Sequence, residues 1–274
     1  MSIEPIAGAL GAEIGGVDLA QPLGGDVVAA LRKALLDHLV IFFRDQNLSP
    51  DGLTRFGRCF GVLGQYPFVQ GLPDHPEVIE VKKLEHEKAN FGGIWHSDTT
   101  YLDEPPMGSI LHAVEVPASG GDTMFANMYM AHDALSPGME RTLAGLSGVS
   151  SSAKADVSRT REDRIASSPG RKAKEVFEAV HPAVRTHPET GRKALYVNVA
   201  HTVRFDGMTE EESAPLLGFL FNHQIKPEFT CRFRWRVGSL AFWDNRASQH
   251  NPINDYHGQR RIMRRITIAG DRPR

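Results

Sequence analysis

The sequence predicts a mainly β chain with a few helices packed outside an antiparallel barrel or sandwich. Three observations carry this. Several short segments are rich in β-formers and alternate in polarity, most clearly Phe229 to Arg236. Turn residues separate such segments, as at His187-Pro188-Glu189-Thr190-Gly191. Helical periodicity is confined to a few stretches with cap signatures.

Taken in order, Asp26 to Leu39 sets Val27, Leu31, Leu35 and Leu39 at helical spacing and runs into Val40-Ile41-Phe42-Phe43, an apolar run that reads as a buried strand. Ser49 before Pro50 marks a second helix start, and Ser136-Pro137 repeats the signature. Thr209 with Glu212 forms a capping box for a helix with Leu216, Leu217 and Leu220 on its inner face. Strands are expected at Ser109 to Val116, at His181 to Thr186 and Ala194 to Val199 around the turn, at Leu240 to Trp243, and at Arg261 to Ala269. Within Phe229 to Arg236, Phe229, Cys231, Phe233 and Trp235 point one way and the polar residues the other.

No repeat or long linker divides the chain, which reads as a single domain over residues 1–274. The polar stretch at 150–174 is a surface excursion, either an ordinary loop or a lid. With 31 Lys+Arg against 33 Asp+Glu, the net charge of −2 argues against nucleic-acid binding through bulk electrostatics. Two cysteines, Cys59 and Cys231, are too few for a disulfide scaffold. The N-terminus lacks a signal-peptide pattern, and the most apolar stretch, Ala34 to Phe43, is too short to cross a bilayer. These features predict a cytoplasmic, soluble protein with no membrane partner.

Among the 12 histidines, His96 stands out because Ser97-Asp98 follows it. In extended backbone, residues two apart share a side, so His96 and Asp98 present an imidazole and a carboxylate together. Such a pair suits a borderline divalent metal such as Fe(II), and one further histidine completes a face of three with open positions left for chemistry. An isolated pair of this kind is common by chance. What raises it is Trp243-Asp244-Asn245-Arg246, which closes a strand, with His250 just beyond that strand's end. In the last strand, alternation puts Arg261, Met263, Arg265 and Thr267 on one face. The two arginines are then roughly 13 Å apart and could hold two anions at separate points. A basic edge strand is the plainer alternative.

Together, His96-Ser97-Asp98, Gly120-Gly121-Asp122-Thr123, Trp243 to Arg246 with His250, and Gln259 through Arg265 resemble the taurine dioxygenase family, which includes 2,4-dichlorophenoxyacetate dioxygenase. The likeness begins at Gly11 to Leu19 and covers nearly the whole chain. It implies a double-stranded β-helix, or jelly roll, with helices outside. His96, Asp98 and His250 fall on the family's iron ligands, and Thr123 and Arg261 on its holders of the far carboxylate of 2-oxoglutarate. Arg265 falls where taurine dioxygenase grips a sulfonate. In the substrate pocket Tyr66 stands in place of a histidine, Gly92 of an asparagine and His201 of a phenylalanine, which puts taurine in doubt. The implied cofactors are Fe(II), 2-oxoglutarate and O₂, the implied substrate a small organic anion, and the implied assembly a dimer or tetramer. Asp98 fills the position that related halogenases keep open for a halide, so hydroxylation is expected. A zinc hydrolase on the same fold and a non-catalytic binder are the competing readings. The Thr123–Arg261 pair argues against the first, and the intact triad against the second.

Overall fold

Capping chemistry fixes where the helices begin. In the computed structural model, which describes residues 1–90, 92–154 and 175–274, the Ser49 hydroxyl accepts from the Gly52 N–H and the Ser136 hydroxyl from the Met139 N–H. Thr209 and Glu212 make both arms of the capping box. The first helix ends on Leu39, whose φ of +63° breaks the helical path while its N–H still reaches the Leu35 carbonyl.

The elements, in chain order, begin with β1 (Ser2–Pro5), β2 (Ala12–Gly15), α1 (Gly25–His38), β3 (Val40–Phe43), α2 (Pro50–Arg58), β4 (Leu63–Gly64) and β5 (Ile79–Lys83). There follow β6 (Gly108–Glu115), β7 (Thr123–Asn127), α3 (Met128–Asp133), α4 (Pro137–Leu143), β8 (Ser147–Ser151), β9 (Glu178–Pro182), β10 (Val184–Thr186) and β11 (Lys193–Leu195). The C-terminal part adds β12 (Thr202–Phe205), α5 (Glu210–His223), β13 (Thr230–Phe233), β14 (Leu240–Asp244), β15 (Ser248–Pro252) and β16 (Arg261–Ile268).

An eight-stranded sheet runs β1-β2-β3-β14-β6-β16-β4, with β5 also on β16, and β13-β7-β15 form a three-stranded sheet. Every pairing is antiparallel except β2 with β3. The apolar run of β3 is buried on both faces for a clear reason. Val40 and Phe42 join Phe125, Phe233 and Trp243 between the two sheets, whereas Ile41 and Phe43 join Leu31 and Leu35 of α1 and Leu53 and Phe56 of α2. Phe42 stacks on Phe233 at 4.0 Å, tying the sheets together. The fold is mainly β with flanking helices.

Four expectations change in detail, the first at Ala194 to Val199, where only Ala194 and Leu195 fall in a strand, β11. His181 to Thr186 is not one strand. Pro182 ends β9, which pairs with β8, and Ala183 donates to the Leu146 carbonyl before β10 turns to pair with β11. The hairpin turn itself forms, with Gly191 at φ +70°. In Phe229 to Arg236 only Thr230–Phe233 is laddered, although the inward set Phe229, Cys231, Phe233 and Trp235 is buried throughout. Of the 150–174 excursion, Ser150 and Ser151 belong to β8 and residues 155–174 lie outside the described residues. Among the described residues, no helix is long and apolar enough to cross a membrane.

Candidate metal centre and anion pocket

Two backbone hydrogen bonds bring the first two imidazoles together. His96 N donates to the His250 carbonyl at 3.0 Å and His250 N to the His96 carbonyl at 2.8 Å. His250 lies beyond the end of β14, as expected, but sits within the next strand, β15, opposite Phe125 of β7. A short strand holds it more firmly than a loop would. The rings of His96 and His250 are 4.2 Å apart, and Asp98 turns back so that its Oδ1 lies 3.7 Å from His96 Nε2. One donor atom from each of His96, Asp98 and His250 falls within a 4.8 Å cluster, and all three residues are buried. At Gly92, φ is +68° and a Cβ would stand 2.9 Å from His96 Cε1. Glycine lets the loop cross the imidazole there.

The surroundings prepare each donor. His96 Nδ1 donates to the Ile94 carbonyl at 2.7 Å, which leaves Nε2 as the lone-pair nitrogen. Asp98 Oδ2 accepts the Ser109 hydroxyl at 2.6 Å. Ser109 Oγ in turn accepts from Asn245 Nδ2 at 3.0 Å, and Asn245 Oδ1 accepts the Trp243 indole N–H at 2.9 Å. Burial alone would push the Asp98 carboxyl up. Arg265, the two imidazoles and the Ser109 hydroxyl instead hold it well below the usual carboxylate range. Burial and the neighbouring His96 keep His250 well below its ordinary value, so it is neutral near pH 7. Two imidazoles that line a cavity, with the Asp98 carboxylate clustered beside them, fit a divalent metal with positions left for ligands.

That cavity is walled by Leu111, Phe125 and Trp243 and also touches Thr123, Trp235, Arg261 and Arg265. Arg261 and Arg265 share the inward face of β16 with Met263, while Ile266 and Ile268 turn to the helices. Arg261 is buried, and neither Nε nor Nη2 has a hydrogen-bond partner. The Thr123 hydroxyl accepts from the Trp235 N–H at 2.9 Å. Arg265 Nη2 is 3.0 Å from Asp98 Oδ1 as an ion pair, and its guanidinium lies 5.5 Å over the Tyr66 ring. Its Nε makes no aligned hydrogen bond. Tyr66 is itself buried beside Phe68 and Tyr101.

His201 stands next to His96, ring centroids 6.0 Å apart. Asn198 Nδ2 donates to Thr100 Oγ1, and that hydroxyl pairs in turn with His201 Nδ1 at 3.0 Å. The Ser97 backbone is a second partner, and burial lowers the imidazole to about 3. Its nitrogens therefore brace the segment that carries Asp98, and neither His201 nor Tyr66 is among the residues that line the cavity. Ser109, Asn245 and Trp235 had no assigned role in the sequence. Their contacts span 11, 136 and 112 residues, and the one available signal was the inward phase of Trp235.

Similarity to known proteins agrees with this geometry. The chain is 37% identical to the alpha-ketoglutarate-dependent sulfate ester dioxygenase of Pseudomonas putida, over 100% of this chain and 91% of that protein. It is 33% identical to an alkylsulfatase of Acinetobacter baylyi, over 99% and 86%. A taurine dioxygenase structure from Burkholderia xenovorans superimposes with a TM-score of 0.84 at 36% identity, covering 99% of this chain and 92% of that one. The taurine catabolism dioxygenase TauD, TfdA family matches residues 2–267, and the chain belongs to that family of alpha-ketoglutarate-dependent dioxygenases.

Proposed function

We propose that the protein hydroxylates a small organic anion at iron(II), using 2-oxoglutarate and O₂. Sulfate esters are the first class to try, then sulfonates and aryloxyalkanoates, because relatives bear those names. One observation carries the reading: the cavity that reaches His96 and His250 of the three-donor cluster also reaches a buried guanidinium, Arg261, whose Nε and Nη2 have no hydrogen-bond partner.

In this reading His96, Asp98 and His250 hold the metal. Arg261 and the Thr123 hydroxyl receive the far carboxylate of 2-oxoglutarate, and Arg265 receives the anionic group of the substrate. The chemistry supplied there, when all are bound, is oxidative decarboxylation of 2-oxoglutarate to succinate and CO₂ coupled to hydroxylation of a substrate C–H bond. The chain's own part is to orient and to keep dry. Tyr66 backs the Arg265 guanidinium from one side and Asp98 ties it from another, so the bound anion has a fixed origin. Leu111, Phe125 and Trp243 exclude water around the donors. His201 beside His96 and Tyr66 beside Arg265 shape the substrate side from behind those residues. The charge balance and the two free cysteines, Cys59 and Cys231, support a small-molecule enzyme of a reducing, cytoplasmic compartment. Dimer or tetramer formation belongs to the same reading and is checked by light scattering.

The test needs no knowledge of the substrate. Anaerobic 2-oxoglutarate added to the iron(II)-loaded protein should give a visible charge-transfer band that His96→Ala lacks. Succinate release would then be measured with an alkyl sulfate, a sulfonate and an aryloxyalkanoate. An iron-loaded, folded protein without the band sinks the proposal and favours a zinc or non-catalytic site.

A further inference from the structure

Trp235 follows β13 and projects between the two sheets, where Phe233 meets it edge-on at 5.0 Å. A buried tryptophan in such a place could serve as packing alone. Two contacts say more. Its indole N–H donates to Thr123 Oγ1 at 2.9 Å, and the Arg261 guanidinium lies 5.6 Å from its ring centroid. Trp235, Thr123 and Arg261 all line the same cavity.

A threonine hydroxyl has one proton to give and lone pairs to receive with. The indole N–H is a donor only, so it occupies a lone pair and leaves the hydroxyl proton to point elsewhere. Without that N–H, the hydroxyl could turn a lone pair toward an incoming carboxylate and repel it. With it, one of the two lone pairs is taken and the hydroxyl proton is turned away from the indole, toward the space that Arg261 also faces. The indole face meanwhile attracts the guanidinium, whose Nε and Nη2 await an acceptor. One side chain thus sets the polarity of one anion contact and the place of the other.

We infer that Trp235 is a positioning residue for the far carboxylate of the dicarboxylate co-substrate, acting through the Thr123 hydroxyl and the Arg261 guanidinium. This rests on the reading of Thr123 and Arg261 given above. It makes the indole N–H, more than the indole's bulk, the feature that selects a dicarboxylate over a plain 2-oxo acid.

The experiment compares binding of 2-oxoglutarate with that of 2-oxobutyrate, which has the same chelating end and no far carboxylate. Both are titrated anaerobically into iron(II)-loaded wild type, Trp235→Phe, Thr123→Val and the double variant. Trp235→Phe keeps an aromatic ring beside Arg261 and removes the N–H. It should weaken 2-oxoglutarate by about 3- to 10-fold, the worth of one hydrogen bond, and leave 2-oxobutyrate unchanged. In the Thr123→Val background the same change should add nothing, because the two residues act as one unit. Equal weakening of both ligands would reduce Trp235 to packing and overturn the inference. So would a Trp235→Phe protein with wild-type preference while Thr123→Val has lost it. If Thr123→Val itself leaves 2-oxoglutarate binding intact, the assignment of the carboxylate pocket fails and the role of Trp235 falls with it.

Discussion

Two arginines in this molecule are almost equally buried, Arg246 at 4% exposure and Arg261 at 5%, and their surroundings are opposite. Arg246 is fully engaged. Its Nε and Nη2 grip both oxygens of Asp244 at 2.9 and 2.7 Å, and Nη1 meets Glu189 Oε1 at 2.7 Å. His187 Nε2 adds a third side-chain contact to Asp244 at 3.0 Å, and Arg32 of α1 closes the far side of Glu189. The Asp244 and Glu189 carboxylates outweigh burial and raise the Arg246 guanidinium above its ordinary value. Arg261 has Tyr256 and Asp122 near it but no acceptor on Nε or Nη2, and burial lowers it. A buried cation with every guanidinium nitrogen engaged holds a fold together. One with donors left idle costs stability unless a ligand supplies the missing charge. By this contrast the Asp244–Arg246 network belongs to the scaffold and Arg261 to a binding site.

The contrast breaks most easily at Asp244. Asp244→Asn leaves Arg246 and His187 around a neutral partner, and unfolding free energy should drop by about 3–5 kcal/mol in urea titrations. The wild-type carboxyl sits below its unfolded value because Arg246 and His187 outweigh burial. Its contribution is therefore complete above the unfolded value of about 4 and is lost as the pH falls below it. The variant's stability should vary less with pH in that acid range. A variant as stable as wild type would remove the network from the scaffold.

Arg261 should behave in the reverse way. Arg261→Met keeps the volume and removes the idle charge, so thermal unfolding should occur at the wild-type temperature or above. Binding of 2-oxoglutarate, measured by the anaerobic band, should weaken about 100-fold, as expected for a lost charge-assisted pair. A destabilised variant that binds normally would invert the comparison.

These two regions also differ in how far the sequence announced them. His96-x-Asp98 and the alternation that turns Arg261 and Arg265 inward are local patterns, as are the caps at Ser49, Ser136 and Thr209, and each has its structural counterpart. The Glu189–Arg246 contact spans 57 residues and joins a hairpin turn to the end of β14, so no local period could reveal it. Short strands such as β7 and β15 were also illegible. Their five residues carry no full alternation, and they exist because β13 and β15 both pair with β7. Pro182 was visible as a residue, but its effect, the split between two sheets, depends on partners far along the chain.

The smallest expected effect probes whether the metal end resembles the closed network or the open pocket. Asp98 Oδ2 is taken by the Ser109 hydroxyl, while Oδ1 faces His96 and Arg265. A carboxylate tied on one oxygen offers the other alone, so Ser109 favours a single Asp98 bond to the metal and keeps the remaining positions free. Ser109→Ala removes that tie and leaves Asn245 Nδ2 without its acceptor, with little change in volume. Metal affinity, read by competition with a chelator in the absence of any substrate, should fall about 10-fold, at the low end for a residue that orients a ligand. Global unfolding should change by no more than about 1–2 kcal/mol. An unchanged affinity would mean that Asp98 is fixed by its backbone turn alone, and the metal end would then be held by the chain path and not by its polar neighbours.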